Sequence, residues 1–162
     1  MMLQNNQQVL IDDYEMIPFE VLVLNPKRTL CEKIMSLIRF SQTMEPINDL
    51  RNKIRHTYDI HLMLKDQDLN NFFNSDEFEP MLLRVGNDDV ESFKNNNRWL
   101  SNHPSNSIIF SETENTWNKI KSVYESSFGE LVFGELPDET EIVNTLMEIS
   151  NKLKSVKWDI KL

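Results

Sequence analysis

The sequence predicts a mainly α chain with a small β element near its N-terminal end, an α+β arrangement. Two observations carry this. Apolar residues recur at helical spacing in several separate stretches between residues 28 and 157, whereas one run alone, Phe19–Leu24, is apolar and β-branched enough to read as a strand. In addition, six prolines and three glycines fall mostly between these stretches and punctuate them. Residues 1–24 are expected to form a polar tail and a strand that is the remnant of a sheet, and residues 25–162 a single helical domain.

Residues 1–18 are rich in Asn and Gln, with a short apolar run at Val9-Leu10-Ile11, and read as a loose tail. Phe19–Leu24 follows, closed by Asn25-Pro26. A lone strand leaves both edges without hydrogen-bond partners, so it calls for partner strands that this chain offers only weakly, at 7–16. Pro26 opens a helix, where its missing N–H costs nothing. Leu30, Ile34, Leu37, Ile38 and Ser41 share one stripe, which predicts an amphipathic helix over 28–43, broken by Glu45-Pro46. A second helix is expected over 48–65, its latter half apolar on nearly every side and therefore buried.

Residues 66–98 are acidic and Asn-rich. Short helical pieces are expected at 69–73 and 80–94, the latter broken because it contains Pro80 and Gly86. Ser111-Glu112-Thr113-Glu114 has the form of a capping box opening a helix over 112–128, with Trp117, Ile120, Val123 or Tyr124, and Phe128 along one side. Asp138 through Glu141 repeats that logic for a helix over 138–157, striped by Ile142, Leu146, Ile149, Leu153 and Val156. No internal repeat is evident.

Composition narrows function. Gly86, Gly129 and Gly134 are followed by Asn87, Glu130 and Glu135, so neither a P-loop nor a dinucleotide-binding glycine motif can be drawn. The single cysteine, Cys31, excludes an internal disulfide and any CxxC site. The first residues lack the basic and apolar regions of a signal peptide, and no apolar run approaches a bilayer span, so a cytoplasmic protein without membrane partners is expected. The net charge is −9, yet Lys27 to His56 holds seven cations against three acids, giving that segment +4 and the remainder −13. Such a balance disfavours a general nucleic-acid coat and suits one local contact with an anion, although solvated helix faces would give the same pattern.

Two residues stand out on physical grounds. Asp59 sits in the apolar half of the second helix, where a carboxylate must be paired or functional; Arg55, one turn earlier, is the local candidate partner. Lys33 borders the apolar stripe of the first helix and either snorkels to water or points into a cleft. His56, Asp59 and His61 do not share one helix face, so a metal site built from these three is set aside. Cys31 and Ser41 have no histidine that the sequence assigns to them as a base.

Phe19–Leu24, then Arg28-Thr29-Leu30-Cys31-Glu32-Lys33-Ile34, then Arg55-His56-Thr57-Tyr58-Asp59-Ile60 together resemble the C-terminal half of the AbiEii/AbiGii family of nucleotidyltransferase-like toxins. In that family one helix carries R-T-x-x-E-K and the next R-H-x-Y-D-[IL]. The resemblance is close over residues 19–64 and general beyond. It implies a toxin of a bacterial toxin–antitoxin or phage-defence system that transfers nucleotides, in some members to tRNA ends. Lys33 would then neutralise triphosphate charge, and Asp59 would orient that lysine or the nucleophile. Arg28, Arg55 and His56 would be supporting, substrate-side members.

The resemblance also implies Mg²⁺ and a nucleoside triphosphate, with the metal held by a Gly-Ser element and a D-x-D pair in an N-terminal half. Nothing in residues 1–18 matches these: Asp12 and Asp13 are adjacent, and on a strand they would point to opposite faces. The chain is therefore expected to supply one wall of a nucleotide site and to be inert alone. The alternative is a non-catalytic helical module that binds the missing half or an antitoxin, with Phe19–Leu24 as its docking edge.

Overall fold

The computed structural model describes residues 23–162; the tail, Asp12-Asp13 and most of the expected strand lie outside them. Val23 and Leu24, the described end of that expected strand, have no regular secondary structure and are exposed, and no strand occurs among the described residues. The first helix, α1 (Pro26–Phe40), starts two residues earlier than its apolar stripe suggests, because the Asn25 side chain accepts the Lys27 N–H and Pro26 takes the N1 position. Its stripe is buried as expected, from Leu30 to Ser41.

The expected 48–65 helix is two helices. α2 (Pro46–Asn52) ends at Lys53, whose N–H turns back to the Leu50 carbonyl, and α3 (Ile54–Lys65) restarts immediately. The break lets each piece take a different neighbour. α2 lies on the later helix α7 (Thr113–Val123), where the Arg51 guanidinium donates twice to the Lys119 carbonyl, while α3 lies between α1 and the last helix, α8 (Glu139–Lys154). The latter half of α3 is not buried all round: Ile60, His61 and Leu64 face the core, but Leu62 is exposed.

α4 (Gln67–Asn74) is capped by Asp66, which accepts the N–H groups of Asp68 and Leu69. α5 (Phe78–Ser92) runs unbroken through Pro80 and Gly86, against the expectation of a break. Pro80 stands third in the helix, where N–H groups have no intrahelical acceptor, so its ring removes no bond. Gly86 is required by packing, since Trp158 and Ile160 of the C-terminal segment lie directly on it. α5 covers one side of α1 and α3 another.

After the 3₁₀ turns Arg98–Ser101 and Pro104–Asn106 comes a single turn, α6 (Ile108–Ser111). The capping box expected at Ser111 and Glu114 does not form. Ser111 closes α6, and α7 starts after Glu112 with no side-chain cap. α7 passes into a wide π-helical turn, Tyr124–Phe128, which buries Tyr124 rather than Val123 beside Trp117. The second capping box does form. Thr140 N–H donates to Asp138 and the Asp138 N–H donates to Glu141, and every member of the α8 stripe through Val156 is buried. No described helix is long and apolar enough to cross a membrane.

Candidate functional site

The amphipathic stripes of α1 and α3 fix which of their residues meet. Burying Ile34 and Ile38 of α1 against Ile60 and Leu64 of α3 leaves Lys33 and Asp59 at the edge of the same contact. There Lys33 Nζ donates to Asp59 Oδ2 at 2.7 Å, with the two side chains only 22% and 18% exposed. Arg55, the local candidate partner, stands off at 3.5 Å from the same oxygen with its side chain 77% exposed. The tertiary partner thus takes the carboxylate, and the intrahelical one is left to solvent. A pair this enclosed excludes most water, so its attraction exceeds that of a surface pair, while each partner depends on the other to offset desolvation.

His56 stands beside these groups. Burial, with Lys33 and Lys53 close by, pushes its pKa down to about 4, so the ring is neutral near pH 7; its Nδ1 is buried with no hydrogen-bond partner. His61 faces away from this site. Its Nδ1 is 2.8 Å from the Thr145 hydroxyl, which itself donates to the Glu141 carbonyl and so accepts from Nδ1–H, and burial lowers the imidazole's pKa. Among the described residues no three His, Cys, Asp or Glu side chains group as metal ligands. Burial pushes the Cys31 thiol up to about 12, which makes it a core residue and not a nucleophile.

The basic segment resolves into two sets. Lys27 pairs with Glu77, and Arg28 bridges Glu32 and Asp88 across α1 and α5, both at 2.8 Å and away from Asp59. Arg39 stacks between Phe40 and Phe93, and Arg51 is spent on the Lys119 carbonyl. Lys33 and Arg55 lie on Asp59, and Lys53, its ammonium over the Phe40 ring, faces the same His56. Three cations and one carboxylate suit an anion. They do not fit a divalent cation, because the one carboxylate is already engaged by Lys33 and faces Arg55. A D-x-D spacing does occur at Asp66 and Asp68, but Asp66 is the cap of α4 and neither residue belongs to this cluster.

Beside Asp59 opens a cleft of about 590 Å³ between α3 and the segment that follows the π turn. Arg55, Tyr58 and Asp59 form one wall, and Phe128, Leu131 and Phe133 the other. The second wall was missed from the sequence. A signal for it exists, since Phe-Gly-Glu-Leu occurs twice, at 128–131 and 133–136. The first phenylalanine is buried against Tyr58, whereas the second, before Gly134 at φ +106°, stands fully in solvent.

A family model described as nucleotidyl transferase AbiEii toxin, Type IV TA system, matches residues 4–144. That span reaches past the two helical motifs on both sides and takes in the cleft. Comparison with curated proteins and with solved structures finds no match.

Proposed function

The chain belongs to the AbiEii nucleotidyl transferase toxin family of toxin–antitoxin systems, and from that premise we propose that α1 and α3 form one wall of a nucleoside-triphosphate site. The observation that carries this reading is the Lys33–Asp59 bond, which joins the R-T-x-x-E-K and R-H-x-Y-D-[IL] segments at a cationic edge of the fold. Lys33 is a compact charge that sits against the phosphates and stabilises the negative charge spread over the phosphoryl group in transit. Asp59 holds the ammonium in place and, with its second oxygen, orients the attacking hydroxyl. Arg55 and Lys53 steer the anion inward, and His56 stays neutral beside it. Arg28 acts from a distance by fixing α1 to α5.

Phosphoryl transfer of this kind uses Mg²⁺, which when bound would neutralise phosphate charge. The cluster around Asp59 offers one engaged carboxylate where that ion needs more, so this chain by itself is inert in transfer and works with a carboxylate pair from elsewhere. An antitoxin is its regulatory partner, as the family description implies. The test is a transfer assay with labelled triphosphates and tRNA, run beside calorimetric titration of the chain with triphosphates. Binding that depends on Lys33, without transfer, is expected. Robust transfer by the isolated chain overturns the inert reading, and unchanged binding in Lys33→Met overturns the site.

A further inference from the structure

We infer that the cleft between α3 and the 129–133 segment receives a nucleobase, so that one ligand lies with its ring in the cleft and its phosphates at Lys33. This deepens the reading of Lys33 as a phosphate-facing group and rests on it. Three observations converge. The first is continuity: Asp59 lines the cleft and also accepts from Lys33, so a ligand entering the cleft touches the ion pair at its inner end. The second is the mixed lining of the cleft. Tyr58, Leu131 and Phe133 give it aromatic and apolar surface, while Arg55 and Asp59, the latter bonded to Lys33, give it charge. A planar apolar group joined to an anionic tail matches that mixture. An apolar peptide would leave the cations unanswered, and inorganic phosphate would leave the aromatic wall bare.

The third observation is the cost the fold accepts in that wall. Phe133 is fully exposed and Leu131 is 81% exposed, on a segment whose sister phenylalanine, Phe128, is buried. Tyr58 is held edge-on by Phe128 at 5.3 Å, which fixes its ring without covering the cleft. Aromatic faces of this kind accept any base by stacking, and Asn52 and Ser127, also lining the cleft, add an amide and a hydroxyl that can read its edge. The base is that of the incoming triphosphate, the ligand whose phosphates lie at Lys33.

The experiment titrates the full 162-residue chain by calorimetry with each of the four nucleoside triphosphates, with inorganic tripolyphosphate and with a short single-stranded RNA bearing a 3′-hydroxyl. Phe133→Ser and Leu131→Ser are compared with the parent, their melting temperatures confirming intact folding, as expected for solvent-facing positions. The expected result is that nucleoside triphosphates bind about tenfold more tightly than tripolyphosphate, and that both substitutions abolish this advantage while leaving tripolyphosphate binding unchanged. If RNA affinity falls in the variants and triphosphate affinity does not, the base in the cleft is an acceptor's and the inference is overturned. Equal binding of triphosphates and tripolyphosphate, with neither RNA nor triphosphate affected by the substitutions, overturns the inference but leaves the phosphate site intact. Failure of both phosphate ligands to bind overturns the two together.

Discussion

Gly86 lies under the ring of Trp158: a Cβ built at Gly86 falls 2.8 Å from Trp158 Cη2 and 3.2 Å from Ile160 Cδ1. Trp158 is not free to withdraw, since its Nε1 donates to the Leu100 carbonyl at 2.7 Å. Gly86→Ala gains about 1 kcal/mol of helix propensity but overpacks this contact by about 2 kcal/mol, for a net loss of about 1 kcal/mol. In a Trp158→Ala background the same substitution is stabilising. Urea denaturation of the four proteins in this double-mutant cycle measures both effects, and additivity would refute the contact.

The Lys33–Asp59 pair is enclosed enough that losing one partner strands the other. Asp59→Asn is expected to lower stability by about 1–2 kcal/mol, and Lys33→Met by a similar amount. The double variant Lys33→Met/Asp59→Leu loses less than the sum. On triphosphate binding the two part company: Lys33→Met costs tenfold or more, and Asp59→Asn costs less because the ammonium remains. A larger loss in Asp59→Asn than in Lys33→Met would mean that the carboxylate, and not the lysine, governs the ligand.

Acid response has two opposed contributions. His56 falls from 6.5 to about 4 on folding, so between those values the unfolded chain holds a proton that the native one does not, and stability rises with pH. His61, lowered by burial, acts in the same direction. Asp89 is raised from 3.8 to about 6, chiefly by burial, so over nearly the same window the native state holds the extra proton and stability falls as pH rises. Asp89→Asn should therefore steepen the loss of stability on going from pH 7 to pH 5, by about 1–2 kcal/mol. His56→Gln should flatten it. Denaturation midpoints at pH 5, 6 and 7 decide, and parallel profiles for all three proteins would contradict the assignment.

Tyr124 ties the π turn to the start of α8 through its hydroxyl, which donates to the Pro137 carbonyl at 2.8 Å. Tyr124→Phe leaves that carbonyl short of a partner and is expected to cost about 1 kcal/mol. Because residues 129–137 are closed into a loop by this bond, hydrogen exchange should quicken there and not in α1. Uniform exchange across the chain would show that the bond does not hold the loop.

What was legible in the sequence was whatever one helix decides for itself. The stripes of α1 and α8, the Asn25-Pro26 start and the Asp138 cap depend on neighbours within a turn, and each is where its spacing places it. Misreadings came from distant packing. Pro80 and Gly86 look like a break until Trp158, about seventy residues on, supplies the reason for a glycine. Lys53 looks helical until α2 and α3 are seen to need different neighbours. The same division runs through the site. Asp59 and Lys33 were each conspicuous as polar groups on apolar helices, but locally Asp59 pointed to Arg55, and only the packing of α1 on α3 gave it Lys33. The cleft wall at Leu131 and Phe133 had no helical or strand spacing, and only the repeated Phe-Gly-Glu-Leu announced it.

The two halves of the site also differ in when they can exist. Lys33 and Asp59 are 26 residues apart on helices that pack together, so their bond closes a short loop. Phe133 comes some seventy residues after Asp59, on a segment anchored through Tyr124 to the start of α8. A chain leaving the ribosome N-terminus first thus exposes the charged half well before it has the stem that carries the aromatic one. The ion pair can thus close on α1 and α3 alone, whereas the aromatic wall waits on the stem that ends at α8.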